Sequence, residues 1–401
     1  MLYLDHNSTT PMLPEVIDAM ASCDRQRLAN PASSHQAGRT ARRVLEEARE
    51  TIGRLLGAQL TGRDADQVVF TSGGTEANNL ALLGMAAAGR TPPGRAVISA
   101  IEHPSVVGAA EHLRQLGWHI DRAPVDQHGV LRLDALANLI SPQTSFVSVM
   151  LANNETGVLQ PVREVADLCQ AQNIPLHCDA VQVVGKLPVD FRALGVDLLT
   201  ATAHKFHGPR GIGVLVKRAS VRLEPLLFGG FQQAGVRPGT ESISLPVGMS
   251  TALSLWHADQ TRRRAHLIEL RDSLETRLKS GWPDLVINGA GAPRLPHTSN
   301  VSFPGLDRQA VLMALDLAGV ACSTGSACAS GSSEPSPVLL AMGCPPAVVA
   351  GSLRLSLGIT NTPAEVAEAA ALILKTASDL RGRFISEKSA RPAPSAAAKT
   401  L

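Results

Sequence analysis

The sequence has no surplus of charge: 37 Lys and Arg stand against 35 Asp and Glu in 401 residues. No overall field favours nucleic acid or an anionic membrane, so a small molecule or a protein is the expected partner. Long apolar runs are missing too. No window approaches the roughly 18 uninterrupted apolar residues of a membrane helix. The opening MLYLDHNSTTP carries acidic and polar residues where a secretion signal needs a basic start and an apolar run. Cysteine is sparse: Cys23, Cys169, Cys178, Cys322, Cys328 and Cys344 are spread thinly, and free thiols in a reducing, cytoplasmic setting are expected. Neither nucleotide-binding spacing, GxxxxGK(S/T) or GxGxxG, is present, and no internal repeat is visible.

What is there is an alternation. From residue 15 to residue 256, short β-type runs (QVVF, AVISA, TSFVSVML, IPLHCDA, DLLTATA, GIGVLV) alternate with amphipathic stretches such as TEANNLALLGMAAAG. That pattern predicts an α/β domain whose mostly parallel sheet is covered by helices. A long helix is expected across LSLWHADQTRRRAHLIELRDSLETRLKSG, its Arg262–Arg264 run forming a solvated face. After it the pattern changes to that of a smaller α+β domain over 257–384, joined by residues 1–14. Thr362, Pro363 and Glu365 form a capping box at the start of the last helix. The remainder, 385–401, rich in Ala, Pro, Ser and Lys, has little to bury and is expected to be disordered.

Three features carry chemistry. TSGGTEANN runs from a strand through Gly73 and Gly74 to Thr75 near a helix start, where free N–H groups suit a phosphate, although an ordinary strand-to-helix turn fits Gly-Gly-Thr equally well. Asp179 ends an apolar strand, either as a ligand for a protonated ring nitrogen or as a structural cap. Lys205 sits between two histidines in AHKFHGPRG, confined between two strands rather than free on the surface. His204 and His207 beside it have no nearby Cys or carboxylate to complete a metal set. A phosphate anchor, a carboxylate and an amine are together what pyridoxal phosphate requires.

With YLDHNSTTP, NPASSH, EHPSV, NNETGVLQP, HCDAVQ, RPGTES, SGSACASG and LRLSLG added, the sequence resembles cysteine desulfurases of the NifS/IscS type. These belong to the class V aminotransferase group of fold-type I pyridoxal-phosphate enzymes. The resemblance covers nearly everything before the tail. It implies a large domain with a seven-stranded sheet and a smaller domain carrying a mobile cysteine loop. Lys205 would hold pyridoxal 5'-phosphate as a Schiff base, Asp179 would keep its ring nitrogen protonated, His103 would stack on the ring and Gln182 would bond its phenolic oxygen. Gly74, Thr75, Thr202 and His204 would hold the phosphate, with Thr240 reaching in from the second subunit of a homodimer. Asn154 and Arg354 would clamp the carboxylate of L-cysteine.

The resemblance also gives a purpose to STGSACASGSSEPS, a stretch with no apolar stripe that reads as a mobile loop. Cys328 within it would take the sulfur as a persulfide, releasing alanine, and pass it to an acceptor such as an iron–sulfur scaffold or a thiolation carrier. Cys322 reads as a packing residue and Cys178 as a pocket wall. Phe231 departs from the family, in which a third glycine commonly stands there. Another pyridoxal-phosphate enzyme, such as a selenocysteine lyase, shares the cofactor residues but not the need for Cys328. A non-catalytic partner in iron–sulfur assembly would keep the fold without the intact residue set.

Overall fold

The computed structural model describes residues 1–89, 93–325 and 334–390. After a two-residue strand, β1 (Leu2–Tyr3), the chain builds a seven-stranded sheet. Its strands are β2 (Gln67–Thr71), β3 (Arg95–Ser99), β4 (His119–Ala123), β5 (Thr144–Ser148), β6 (Leu176–Asp179), β7 (Leu198–Thr202) and β8 (Gly213–Lys217). They lie in the order β2-β8-β7-β6-β5-β3-β4. All pairings from β7 to β4 are parallel; β8 runs antiparallel to both neighbours. This is the mostly parallel α/β sheet the sequence predicts.

Both faces are covered, and the strands divide their side chains between them with the period of two that a pleat imposes. Val97, Val147 and Leu199 pack on one face, while Ala96, Ile98, Phe146 and Leu198 pack on the other. Helices α1 (Pro14–Arg25) and α2 (Gln36–Leu55) lie against the helix Ser244–Ala258 on the first side; α3 (Gly74–Ala88) and α4 (Pro104–Gln115) cover the second. A parallel sheet buried on both faces leaves one edge for ligands, the carboxyl ends of its strands.

A second core gathers Leu267, Leu270, Leu274 and Leu278 of the helix Gln260–Gly281 with Val366, Ala370 and Ile373 of the helix Pro363–Ala390. These helices back a three-stranded sheet of β9 (Val286–Asn288), β10 (Thr298–Ser302) and β12 (Ser352–Ser356). The N-terminus joins this part of the fold: β1 pairs with β11 (Val320–Ala321), and Asp5 bridges to Ser356. The capping box forms, with Thr362 N donating to Glu365 Oε2 at 2.8 Å and Glu365 N to Thr362 Oγ1 at 3.2 Å.

The structure departs from the sequence reading in four places. The single long helix expected across 253–281 is two helices, broken at Asp259 (φ −131°, ψ 21°). Asp259 turns its carboxylate onto Arg262 and Arg263, and an acid is favourable at the start of the second helix. The Arg262–Arg264 run is consequently not uniformly solvated, because Arg263 is half-buried. β4 was not anticipated: HIDRA is an edge strand with few apolar residues. The last helix runs on to Ala390, past residue 385, where the tail was expected to begin.

Candidate active site

Asp179 ends β6 and Thr202 ends β7, which a turn of 3-10 helix (Ala203–Lys205) follows directly. The chain beyond β3 supplies His103, and that beyond β5 supplies Asn154. From the second part of the molecule β12 contributes Arg354. All of them border one cavity of about 260 Å³, together with Gly74, Thr75, Gln182, His204 and Lys205. Ten of the residues singled out in the sequence thus meet at the sheet edge. Thr240 does not: it is exposed and lines grooves elsewhere on the chain. Cys328 lies outside the described residues.

One wall of the cavity is the start of α3. Its N-cap is Gly73, with no side chain to satisfy the first helical N–H groups, so these are left for an anion. Side chains are excluded from this turn by close approach. A Cβ on Gly213 would lie 2.6 Å from the Gly73 carbonyl carbon, and one on Gly74 would lie 3.0 Å from Val181 Cγ2.

Asp179 is buried and its carboxylate is held on both oxygens: Asn78 Nδ2 donates at 2.7 Å and the Val181 N–H at 3.0 Å. Neighbouring Glu102 accepts from the Met150 N–H at 2.7 Å. Burial first, then the charge of Asp179, push Glu102 well above the usual carboxylate range.

His103 caps α4. Its Nδ1 accepts from the Ser105 N–H at 3.2 Å and lies 2.8 Å from Ser105 Oγ, which puts the ring proton on Nε2. Burial lowers its pKa against the opposing pull of Asp179. His204 is likewise drawn down to about 3 by burial, then by Lys205 and Lys186. Lys205 Nζ donates to the main-chain oxygens of Asn7 and Ser8 at 2.5 and 2.8 Å.

Arg354 is fully buried. It donates to Asn154 O at 3.1 Å, to Asp5 Oδ1 at 2.9 Å and to Ser8 Oγ at 2.7 Å. Three residues lining the cavity keep a buried polar atom without a partner: Asn78 Oδ1, Gln182 Oε1 and Arg354 Nε. Since buried polar groups are ordinarily paired, this is a site built for a polar guest. The donor set fits pyridoxal phosphate: an uncapped helix start for the phosphate, a carboxylate for the ring nitrogen and an amine for a Schiff base.

The sequence reading gave no site role to Asn7, Ser8, Asn78 or Ser105, all of which line the cavity. Asn78 had a signal: it lies four residues after Gly74 on the same helix, hence on the same face. At Phe231 the backbone has φ −94°, open to any residue; the left-handed conformations fall on Gln233 and Ala234 instead, at φ 52° and 55°.

The family model for class V aminotransferases matches residues 2–368. The chain is 40% identical to the cysteine desulfurase IscS of Dictyoglomus turgidum over 361 residues, 90% of either protein. It is 42% identical to a cysteine desulfurase of Enterobacter agglomerans, over 89% of this chain and 87% of that one. A solved NifS-like protein superposes with a TM-score of 0.87 at 32% identity, covering 94% of this chain and 100% of its own.

Proposed function

The chain belongs to the class V aminotransferase family, and we propose that it is a pyridoxal-phosphate-dependent cysteine desulfurase that converts L-cysteine to L-alanine and passes the sulfur to its own thiol. One observation carries this reading: Lys205, the Asp179 carboxylate and the uncapped start of α3 border a single cavity.

The bound cofactor supplies an electron sink conjugated to the substrate nitrogen. The remaining tasks fall to the chain. The N–H groups at the start of α3, with Thr75, Thr202 and His204, hold the phosphate. Asp179, fixed by Asn78, keeps a proton on the ring nitrogen, and Gln182 meets the ring's phenolic oxygen. His103, which lines the cavity with its imidazole held uncharged by burial, would stack on the ring. Arg354 and Asn154 hold the carboxylate of L-cysteine, for which a guanidinium is suited by its paired donors. The Lys205 amine takes the Cα proton and returns it.

Sulfur transfer needs a thiolate. Burial raises the thiol pKa of all five described cysteines, and takes Cys169 and Cys322 to about 12, so none of them is a ready nucleophile near neutral pH. The sequence SGSACASG supports Cys328 for this role. Its thiolate attacks the substrate sulfur, an S–S bond forms, and the C–S bond breaks with its electron pair left on Cβ. Protonation at Cβ gives alanine, and Cys328 keeps a persulfide. The sulfur then passes to an acceptor protein, an iron–sulfur scaffold or a thiolation carrier.

The reading includes a cytoplasmic homodimer in which Thr240 completes the partner's phosphate site. In support, Thr240 stands outside its own chain's cavity, and Phe228 and Phe231 nearby in sequence are 90% and 94% exposed. No helix among the described residues is long and apolar enough to cross a membrane. The division into 15–256 and 257–384, with 1–14 added to the latter, is supported by the pairing of β1 with β11.

The test is to record the visible absorbance of the purified protein, add L-cysteine and a reductant, and quantify alanine and sulfide. A coloured protein yielding both in equal amounts is expected. A coloured protein yielding neither refutes desulfuration, and a protein that cannot take up the chromophore refutes the cofactor assignment.

A further inference from the structure

Lys186 does not line the cavity, yet it touches the residue on which the cavity's chemistry depends. Its Nζ donates to the main-chain oxygen of Lys205 at 2.6 Å, and the residue is 5% exposed. The backbone is shaped for this contact. Gly185, at φ +76°, faces Phe206 so closely that a Cβ would lie 2.1 Å from Phe206 Cβ. The turn after β6 is thereby pressed onto the turn after β7, and Lys186 reaches under Lys205.

The surroundings of Lys186 are basic on every side. His6 from the N-terminal segment, His204 and His207 beside Lys205, and His297 preceding β10 all feel its charge, and burial keeps all four imidazoles neutral. Arg264 lines an outer groove with Lys186, and Arg263 of the same helix acts on His207. The Asp179 carboxyl borders the same cavity as Lys205. Lys186 itself is in no ion pair among the described residues; its ammonium donates to the Lys205 carbonyl. Burial, then the charge of Lys205, bring its ammonium down to about 7.

We propose that Lys186 is a positioning residue for the reaction at Lys205: its ammonium fixes the Lys205 carbonyl, and its charge opposes protonation of the Lys205 nitrogen. The inference rests on reading Lys205 as the cofactor lysine. An amine that must take up and release a proton near neutral pH works best with a pKa near that value, and a like charge beneath it drives its pKa that way. The coupling is mutual, because a proton on either nitrogen disfavours one on the other.

Three variants separate the bond from the charge: Lys186→Met removes both, Lys186→Gln keeps a donor without charge, and Lys186→Arg keeps charge at every pH. The primary readout is the pH midpoint of the visible absorbance change in the cofactor-loaded protein. The second, made after cofactor removal, is the pH dependence of Lys205 acetylation by acetic anhydride, followed by peptide mass spectrometry. The Met and Gln variants should raise both midpoints by about one pH unit, and the Arg variant should lower them. A merely structural role would not move the midpoints in opposite directions. If Lys186→Met fails to fold, the Gln and Arg pair decides. Loaded Met and Gln variants with wild-type midpoints would overturn the inference and leave the cofactor reading standing. A wild-type protein that binds no chromophore would overturn the cofactor reading instead, and the acetylation profile would still judge Lys186.

Discussion

Asn78 Nδ2 lies 2.7 Å from Asp179 Oδ2 and 2.9 Å from Ser105 Oγ, so one buried amide ties the end of β6 to the serine that orients His103. The carboxylate and the imidazole are therefore set by a common side chain. Asn78→Ala removes a hydrogen bond to a charged group, worth about 1.5–3 kcal/mol. Cofactor retention should fall roughly tenfold to a hundredfold by that conversion, measured by absorbance titration of the stripped protein. Retention equal to wild type would remove Asn78 from the support of Asp179.

Lys205→Ala should abolish covalent attachment of the chromophore. After borohydride reduction and denaturation, the wild-type chain should keep the label on the peptide containing Lys205 and the variant should carry none. A label at another lysine would contradict the assignment.

Arg354 ties the proposed carboxylate site to the junction between the two parts of the molecule, since it pairs with Asp5 at 2.9 Å while donating to Asn154 O. Breaking a fully buried pair costs about 3–5 kcal/mol. The loss here should be smaller, because the Asp5 side chain keeps 19% exposure. Arg354→Gln should raise KM for L-cysteine by more than about tenfold, the loss of a charge-assisted bond. Adding Asp5→Asn should recover stability but not KM. Recovery of both would assign Arg354 to structure alone.

Burial holds several histidines neutral: His6 and His204 at about 3, His177 and His207 at about 4. Their folded values lie below the unfolded value of about 6.5, so the unfolded chain binds more protons and stability falls as the pH drops from about 6.5 toward 4. Each contributes a slope of up to roughly 1.4 kcal/mol per pH unit in that window. Urea unfolding at pH 7.5 and pH 5 should give a much lower midpoint at pH 5. An equal midpoint would mean that these imidazoles are not buried as described.

Gly185→Ala meets both a left-handed φ and the Phe206 side chain. It should cost about 2–4 kcal/mol and disturb the turn that presents Lys205. A thermal midpoint unchanged from wild type would show that the two turns are not pressed together.

Much of this was legible in the sequence because it is local. The buried strands announce themselves as apolar runs, Asp179 and Thr202 end two of them and Lys205 comes just after, so their meeting at one sheet edge follows from parallel pairing. What escaped depends on tertiary contact. HIDRA has too few apolar residues to read as a strand, yet an edge position needs no more. The break in LSLWHADQT is the exception, since its signal is local: Asp259 pairs with Arg262 and Arg263, three and four residues on, at the start of the second helix. Asn7 and Ser8 reach Lys205 across almost two hundred positions of chain. Lys186 in VVGKLPVD reads as a surface lysine, the usual fate of that residue, and only the packing of Gly185 on Phe206 reveals otherwise.

The most direct test of the account is a single turnover with L-cysteine in the absence of reductant, with alanine quantified and the added sulfur mapped by peptide mass spectrometry. The account predicts one alanine per active chain and one extra sulfur on the Cys328 peptide, with Cys322→Ala behaving as wild type and Cys328→Ser transferring none. Sulfur on Cys322, or alanine formed with no sulfur retained by the chain, would contradict it.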